Sequence, residues 1–294
     1  VKQASGGWLN GFIGVMIFSG SLPATRVAVV DFDPIFLTAM RAAIAGVLAL
    51  FLLRILKAER PGHGDIASLL LVACGVVVGF PLCSALALQH ITAARSLVFV
   101  GLLPLATAIF GVLRGGERLP PAFWLFATAG GLCVAGFALT HSLPTSMQGD
   151  LLMLMAVMTC GYGYAEGGRL SRHLGGWQVI SWALVLSLPL TAVLSIMTQP
   201  PTWQQIGMPA WISLAYVSLF SMLIGFIFWY RGLAQDGIAA VSQLQLLQPF
   251  LGMLLAAVLL HEPIEAGMLG TAVAVVACVI GARRHSGSGA APLD

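Results

Sequence analysis

Residues 97–117 read LVFVGLLPLATAIFGVLRGGE and residues 242–262 read SQLQLLQPFLGMLLAAVLLHE; each stretch carries a proline and, thirteen positions on, a glutamate. Pro104 falls on Pro249 and Glu117 on Glu262, an offset of 145 residues. The same offset puts Leu88 on Leu233, Ala94 on Ala239, Leu102 on Leu247, Ala127 on Ala272, Cys133-Val134 on Cys278-Val279 and Gly136 on Gly281. Leucine and alanine coincidences are cheap in an apolar chain. Proline, glutamate, cysteine and glycine pairs at one offset mark a duplicated unit.

The unit belongs in a membrane. Hydrophobic residues make up 59% of the 294-residue chain and charged residues only 9%, against roughly 25% charged in soluble domains. Runs near the ~20 residues that cross a bilayer predict ten spans, at 8–26, 34–56, 66–88, 92–113, 120–140, 150–170, 177–197, 209–231, 238–260 and 264–283. The first run reads as a retained helix, not a cleaved signal peptide. The polar Gly/Ser/Ala-rich stretch 285–294 reads as a flexible tail.

The fold class expected is therefore an all-α membrane protein of ten transmembrane helices, with one five-helix repeat over 8–140 and a second over 150–283. An odd number of helices per repeat starts the second copy on the opposite face, so the repeats have inverted topology, as in secondary transporters. Lys2, Arg54, Lys57, Arg60, Arg114, Arg118, Arg169, Arg172, Arg231, Arg283 and Arg284 fall on one side; Arg26 and Arg95 fall on the other. Positive residues collect on the cytoplasmic side. Both termini are expected there. The net charge of +3 is scattered singly between apolar runs, so no nucleic-acid face is expected. Cys74, Cys83, Cys133, Cys160 and Cys278 all fall inside apolar runs and read as small buried residues.

Polar and helix-bending residues within spans mark the candidate site. Pro81, Pro104 and Pro249 are the expected hinges, each weakening the bond to a carbonyl four residues back, at Val77, Val100 and Gln245. Ser242, Gln243, Gln245 and Gln248 crowd the half-turns before Pro249. They either line a cavity or make bonds between helices. Ser19, Ser21, Ser84 and Thr159 are satisfied by their own helices or face the same space. Tyr162 and Tyr164 line it or anchor at the interface; Trp8, Trp124, Trp177, Trp211 and Trp229 read as interfacial anchors. Phe80 and Phe99 bound an apolar side chain. Arg41 either snorkels to the interface or ties to neighbouring carbonyls. Glu117 and Glu262 read as capping or gating contacts, and Asp150 and Glu166 as terminal, which leaves no mid-depth acid for an obligate proton site.

These features together resemble the EamA-type transporters of the drug/metabolite transporter superfamily, over essentially the whole ordered chain. The ten-span repeat, Arg41, and the spacings Pro104 to Glu117 and Pro249 to Glu262 carry the resemblance. Within that superfamily the sequence is most similar to the YddG-type exporters of aromatic and other neutral amino acids. The resemblance implies an inner-membrane metabolite exporter with a cavity lined by helices 1, 3, 4, 6, 8 and 9. The small multidrug members carry a glutamate in the first helix, where this chain has Ser19 and Ser21, so proton-coupled cation export is not expected.

The function expected is alternating-access transport of small neutral or zwitterionic metabolites, amino acids first among them, across a bacterial-type inner membrane. The substrate-binding residues are then Ser19, Ser21, Phe80, Phe99, Val100, Tyr162, Ser242, Gln245 and Gln248. The expected partners are that small molecule and the bilayer. Efflux of lipophilic drugs is the alternative, and a polytopic membrane enzyme is the alternative of a different class. No G-x-S-x-G, H-E-x-x-H or P-loop occurs, and the six histidines are scattered, so neither enzyme chemistry, metal nor cofactor is expected.

Overall fold

The computed structural model describes residues 6–91, 93–139, 146–260 and 266–285, and among these the secondary structure is helical with no strand. Helix α1 spans Gly6–Asp31, α2 Pro34–Ile55 and α3 His63–His90. Helix α4 is broken, Ala93–Val100 then Leu103–Gly115; α5 is Pro121–Leu139, α6 Met147–Leu174 and α7 Gly176–Met197. Helix α8 spans Met208–Asp236. Helix α9 runs as Ile238–Ser242, Gln243–Leu247 and Gln248–Leu260, and α10 is Ala266–His285.

Local chemistry sets these boundaries. The Asp33 carboxylate accepts from the Ile35 and Phe36 amides at 2.8 and 3.2 Å, and Pro34 supplies the first residue of α2, where a missing N–H costs nothing. Ser146 caps α6 through the Gly149 amide. Helix α6 continues to Leu174, one turn past its expected end, and α10 continues to His285, the first residue of the expected tail. Glu262 lies outside the described residues, as does the remainder of that tail.

Large apolar side chains point outward along these helices: Ile55, Leu113, Leu132 and Ile196 are each about 70% exposed, while Arg41, Glu166, Gln243 and Gln245 are buried. In water such a surface would aggregate; against lipid tails it is the solvated face. Helices α1, α2, α3, α7 and α8 are each long and apolar enough to cross a bilayer. Of the five cysteines, Cys160 alone is fully buried. Cys74 lies on the exposed face, contrary to the expectation of burial, and none is in a disulfide.

Helix α1 packs on α8, and α3 packs on α6; α2 meets α7, α4 meets α9 and α5 meets α10. Every one of these pairs joins the first half of the chain to the second. Close approach relies on glycine in the first two: a Cβ on Gly232 would stand 2.8 Å from the Gly11 nitrogen, and one on Gly75 would stand 2.6 Å from the Thr159 carbonyl oxygen. Small residues at the seam are how membrane helices gain packing contact.

Two helices also carry π-helical segments, Ala73–Gly79 in α3 and Val217–Ile224 in α8. Each closes on a bond five residues back, Phe80 N–H to the Gly75 carbonyl and Gly225 N–H to the Phe220 carbonyl. These two bonds lie 145 residues apart, the offset that sets Pro104 on Pro249.

Candidate substrate site

All three hinge prolines stand in the first turn of an α-helical stretch that follows an irregular one. Pro81 follows the π segment of α3, Pro104 the break at Gly101-Leu102, and Pro249 the 3-10 stretch Gln243–Leu247. At the break in α4 the Leu102 amide bonds the Phe99 carbonyl three residues back. In α9 the Gln248 amide bonds the Gln245 carbonyl in the same way. That second bond corrects an expectation. The Gln245 carbonyl is not left weakened by Pro249, because tightening to a 3-10 turn supplies it with a donor one residue earlier.

The side chain of Gln245 is another matter. It is fully buried, and neither its amide nitrogen nor its amide oxygen has a hydrogen-bond partner. It lies beside the Tyr164 hydroxyl of α6. At Tyr164 the aromatic rings of three helices meet. Tyr164 is 5.3 Å from Trp229 and 5.9 Å from Phe226, and Phe18 of α1 is 5.0 Å from Phe226 and 6.1 Å from Trp229. The Trp229 indole N–H is buried without an acceptor, and so is the Gln243 amide oxygen without a donor. Unsatisfied polar atoms inside an aromatic shell are unusual in a settled core and are what a ligand site requires.

The other expected site residues divide. Gln248 reaches the same shell, donating to the Phe18 carbonyl at 3.3 Å. The Ser242 hydroxyl sits 2.8 Å from the Ala239 carbonyl and 3.4 Å from that of Pro104, so it ties α9 to its own turn and to α4. Ser19 donates to the Val15 carbonyl of its own helix. Ser21 bonds the Ser221 hydroxyl of α8. Phe80 and Phe99 are half-buried against the main core, and Val100 is buried with Leu22, Leu88 and Met153. Tyr162 is not brought to Gln245: its ring meets Phe110 at 5.3 Å, with the Arg114 guanidinium 5.8 Å above it. Trp229, expected at the interface, has no exposed surface. Helix α8 runs on to Asp236, almost two turns past Trp229, which keeps the indole inside the bundle.

Charged contacts close the arginine-rich end of the bundle. Glu117 accepts from the Ile238 and Ala239 amides at 2.6 and 2.8 Å and from Arg172 at 3.1 Å, which caps α9 beside Gly237, held at φ +94°. Glu166 is not terminal as expected: it is fully buried two turns inside α6, between Arg169 at 2.6 Å and Arg114 at 3.1 Å. Asp236 receives the Trp8 amide at 2.9 Å, and Asp65 meets His173 at 3.1 Å. The opposite end has the Arg95–Asp150 pair at 2.6 Å.

The model of the EamA-like transporter family matches the chain twice, over residues 5–140 and 147–283. The chain belongs to the EamA-like transporter family. This EamA-like transporter is 64% identical to the uncharacterized transporter YdeK of Bacillus subtilis (strain 168), over 97% of its own length and all of that protein. It is 26% identical to the uncharacterized transporter sll0355 of Synechocystis sp. (strain ATCC 27184 / PCC 6803 / Kazusa), covering 85% of this chain and 81% of that one. One crystal structure, 19% identical, superposes with a TM-score of 0.77 over 95% of this chain and 96% of its own; at that identity the likeness shows the fold alone. The EamA-like transporter is thus a membrane-embedded, multi-pass carrier.

Proposed function

We propose that this EamA-like transporter exports small neutral or zwitterionic metabolites, specifically amino acids with aromatic or other apolar side chains, by alternating access. The observation that carries the reading is Gln245, a fully buried amide with two unpaired polar atoms beside Tyr164, whose ring meets Phe226 and Trp229. An amide both donates and accepts, which suits an ammonium and a carboxylate together, and the rings suit an apolar side chain. The YddG-type exporters named by resemblance have the same substrate class.

Ten spans in two inverted halves supply the machinery in this reading. The two family matches, the π-helical bonds 145 residues apart and the cross-half pairing of α1 with α8 and α3 with α6 all support it. With both termini in the cytoplasm of a bacterial-type inner membrane, the Glu117 and Glu166 contacts form the inner gate, closed in this state. Rocking of the halves opens it while the outer end closes.

The aromatic shell alone would also accept a lipophilic drug. The two readings separate in liposomes containing the purified protein, given labelled phenylalanine, labelled leucine and a fluorescent lipophilic cation. Saturable amino-acid flux that the cation does not inhibit is expected. Cation transport without amino-acid flux would overturn the reading in favour of drug efflux.

A further inference from the structure

Arg41 lies seven residues into α2, about 10 Å along the helix axis from its first residue, and it does not snorkel. Its side chain is turned inward and buried, at 5% exposure. One guanidinium nitrogen, Nη2, donates to the Val217 carbonyl and to the Ser221 hydroxyl, both at 3.3 Å. The Nε–H has no acceptor. Among the described residues no carboxylate pairs with it. A guanidinium presents five N–H donors and cannot be relieved by losing its proton. Two long bonds from one nitrogen leave the desolvation of the Nε–H uncompensated.

The surroundings complete a receptor. Val217 and Ser221 belong to the π-helical segment of α8, and Ser221 is bonded in turn to Ser21 of α1. One turn before Arg41, on the same face of α2, the Thr38 hydroxyl is also buried without a partner. Two unpaired donors, Arg41 Nε and Thr38 Oγ1, therefore stand on one helix face. The Ser21 and Ser221 hydroxyls, bonded to each other and, through Ser221, to Arg41, complete the set. Three helices converge here.

We propose that this cluster is a carboxylate subsite, in which Arg41, assisted by Thr38, Ser21 and Ser221, binds the carboxylate of the transported molecule. The missing counter-ion of Arg41 is then the substrate itself. Planar carboxylates match the guanidinium fork, and a charge-assisted bond in a water-poor interior is strong and directional. The proposal rests on the transport reading above and narrows it: the carboxylate goes to Arg41, and Gln245 is left the ammonium group. Carboxylate-bearing solutes are carried, and their amides and alcohols are rejected.

Binding of L-leucine, L-leucinol, L-leucinamide and 4-methylpentanoate to the purified full-length protein tests it, in wild type, Arg41→Gln and Thr38→Val. Wild type is expected to prefer the two carboxylates by roughly ten- to a hundredfold, the worth of one hydrogen bond to a charged group. Arg41→Gln is expected to abolish that preference. Thr38→Val should weaken both carboxylates severalfold without lowering the melting temperature, because its hydroxyl bonds nothing in the fold. Should Arg41→Gln fail to fold, Thr38→Val decides. Leucine and leucinol binding equally well to wild type, no carboxylate binding at all, a carboxylate preference that survives in Arg41→Gln, or unchanged carboxylate affinity in Thr38→Val would each overturn the proposal. Leucine and leucinol binding equally would still leave the amino-acid reading standing. Binding of 4-methylpentanoate but not leucine, lost in Arg41→Gln, would sink the amino-acid reading and keep the subsite.

Discussion

Moving an amide from water into an apolar interior without a partner costs about 1–3 kcal/mol, and Gln245 bears that cost on both of its amide atoms. Gln245→Ala removes the cost along with the recognition. Substrate affinity should fall by the worth of about one hydrogen bond, roughly 0.5–1.5 kcal/mol or two- to twelvefold, while the melting temperature holds or rises. Binding isotherms alongside thermal melts check this; a lower melting temperature with unchanged affinity would make Gln245 a structural residue. A glutamine in an apolar run is legible as a candidate because few residues are so costly there. Tyr164 and Trp229 are not, since an aromatic residue near a span end reads equally well as an interfacial anchor. The choice depends on how far the helix continues, and α6 and α8 both continue further than their apolar runs. The same extension takes Glu166 from a helix end to a buried ion pair. Ser19 and Tyr162 show the converse, polar groups in the right run that face their own helix or a neighbour's ring.

At the scale of the helix, a repeated proline announces an interruption but not its form. The breaks before Pro104 and Pro249 are legible in the sequence; the 3-10 closure that satisfies the Gln245 carbonyl is not. The π segments of α3 and α8 leave no compositional trace, because one extra residue in a turn alters no pattern of polarity. Only Pro81 hints at the first of them. Pro249 stands in the first turn of its α-helical stretch, where the missing N–H and fixed φ are tolerated. Pro249→Ala should therefore change stability by no more than about 1 kcal/mol. It restores a donor that lets the α-helix grow back over Gln243–Leu247, so the transport rate should drop several times more than the affinity does. Transport rates and affinities measured on the same reconstituted sample separate the two. An unchanged rate would show that the 3-10 turn plays no part in switching.

Over the whole molecule, each half is built against the other rather than beside it. Helix α1 closes on α8 and α3 on α6 through glycines that bring backbones within van der Waals reach, so a relative tilt of the halves moves both seams at once. The offset of 145 residues is legible in the sequence, and in the proposed topology the charge distribution orients the two halves. What pairs with what across the halves is not legible, because apolar faces in lipid carry little directional preference. In a cysteine-free background, cysteines at Gly62 and Ser146 should react with an impermeant maleimide from opposite sides, Ser146 from outside the cell. Labelling of Gly62 from outside would reverse the topology. Counterflow tests the proposed exchange of neutral amino acids between alternating states with no obligatory proton step. Liposomes holding the purified protein are preloaded with unlabelled phenylalanine, treated with a protonophore and given labelled phenylalanine outside. Transient accumulation of label above its equilibrium level, absent from protein-free liposomes, is the predicted result. Label entry that the internal phenylalanine does not stimulate, or exchange that collapses with the proton gradient, would contradict it.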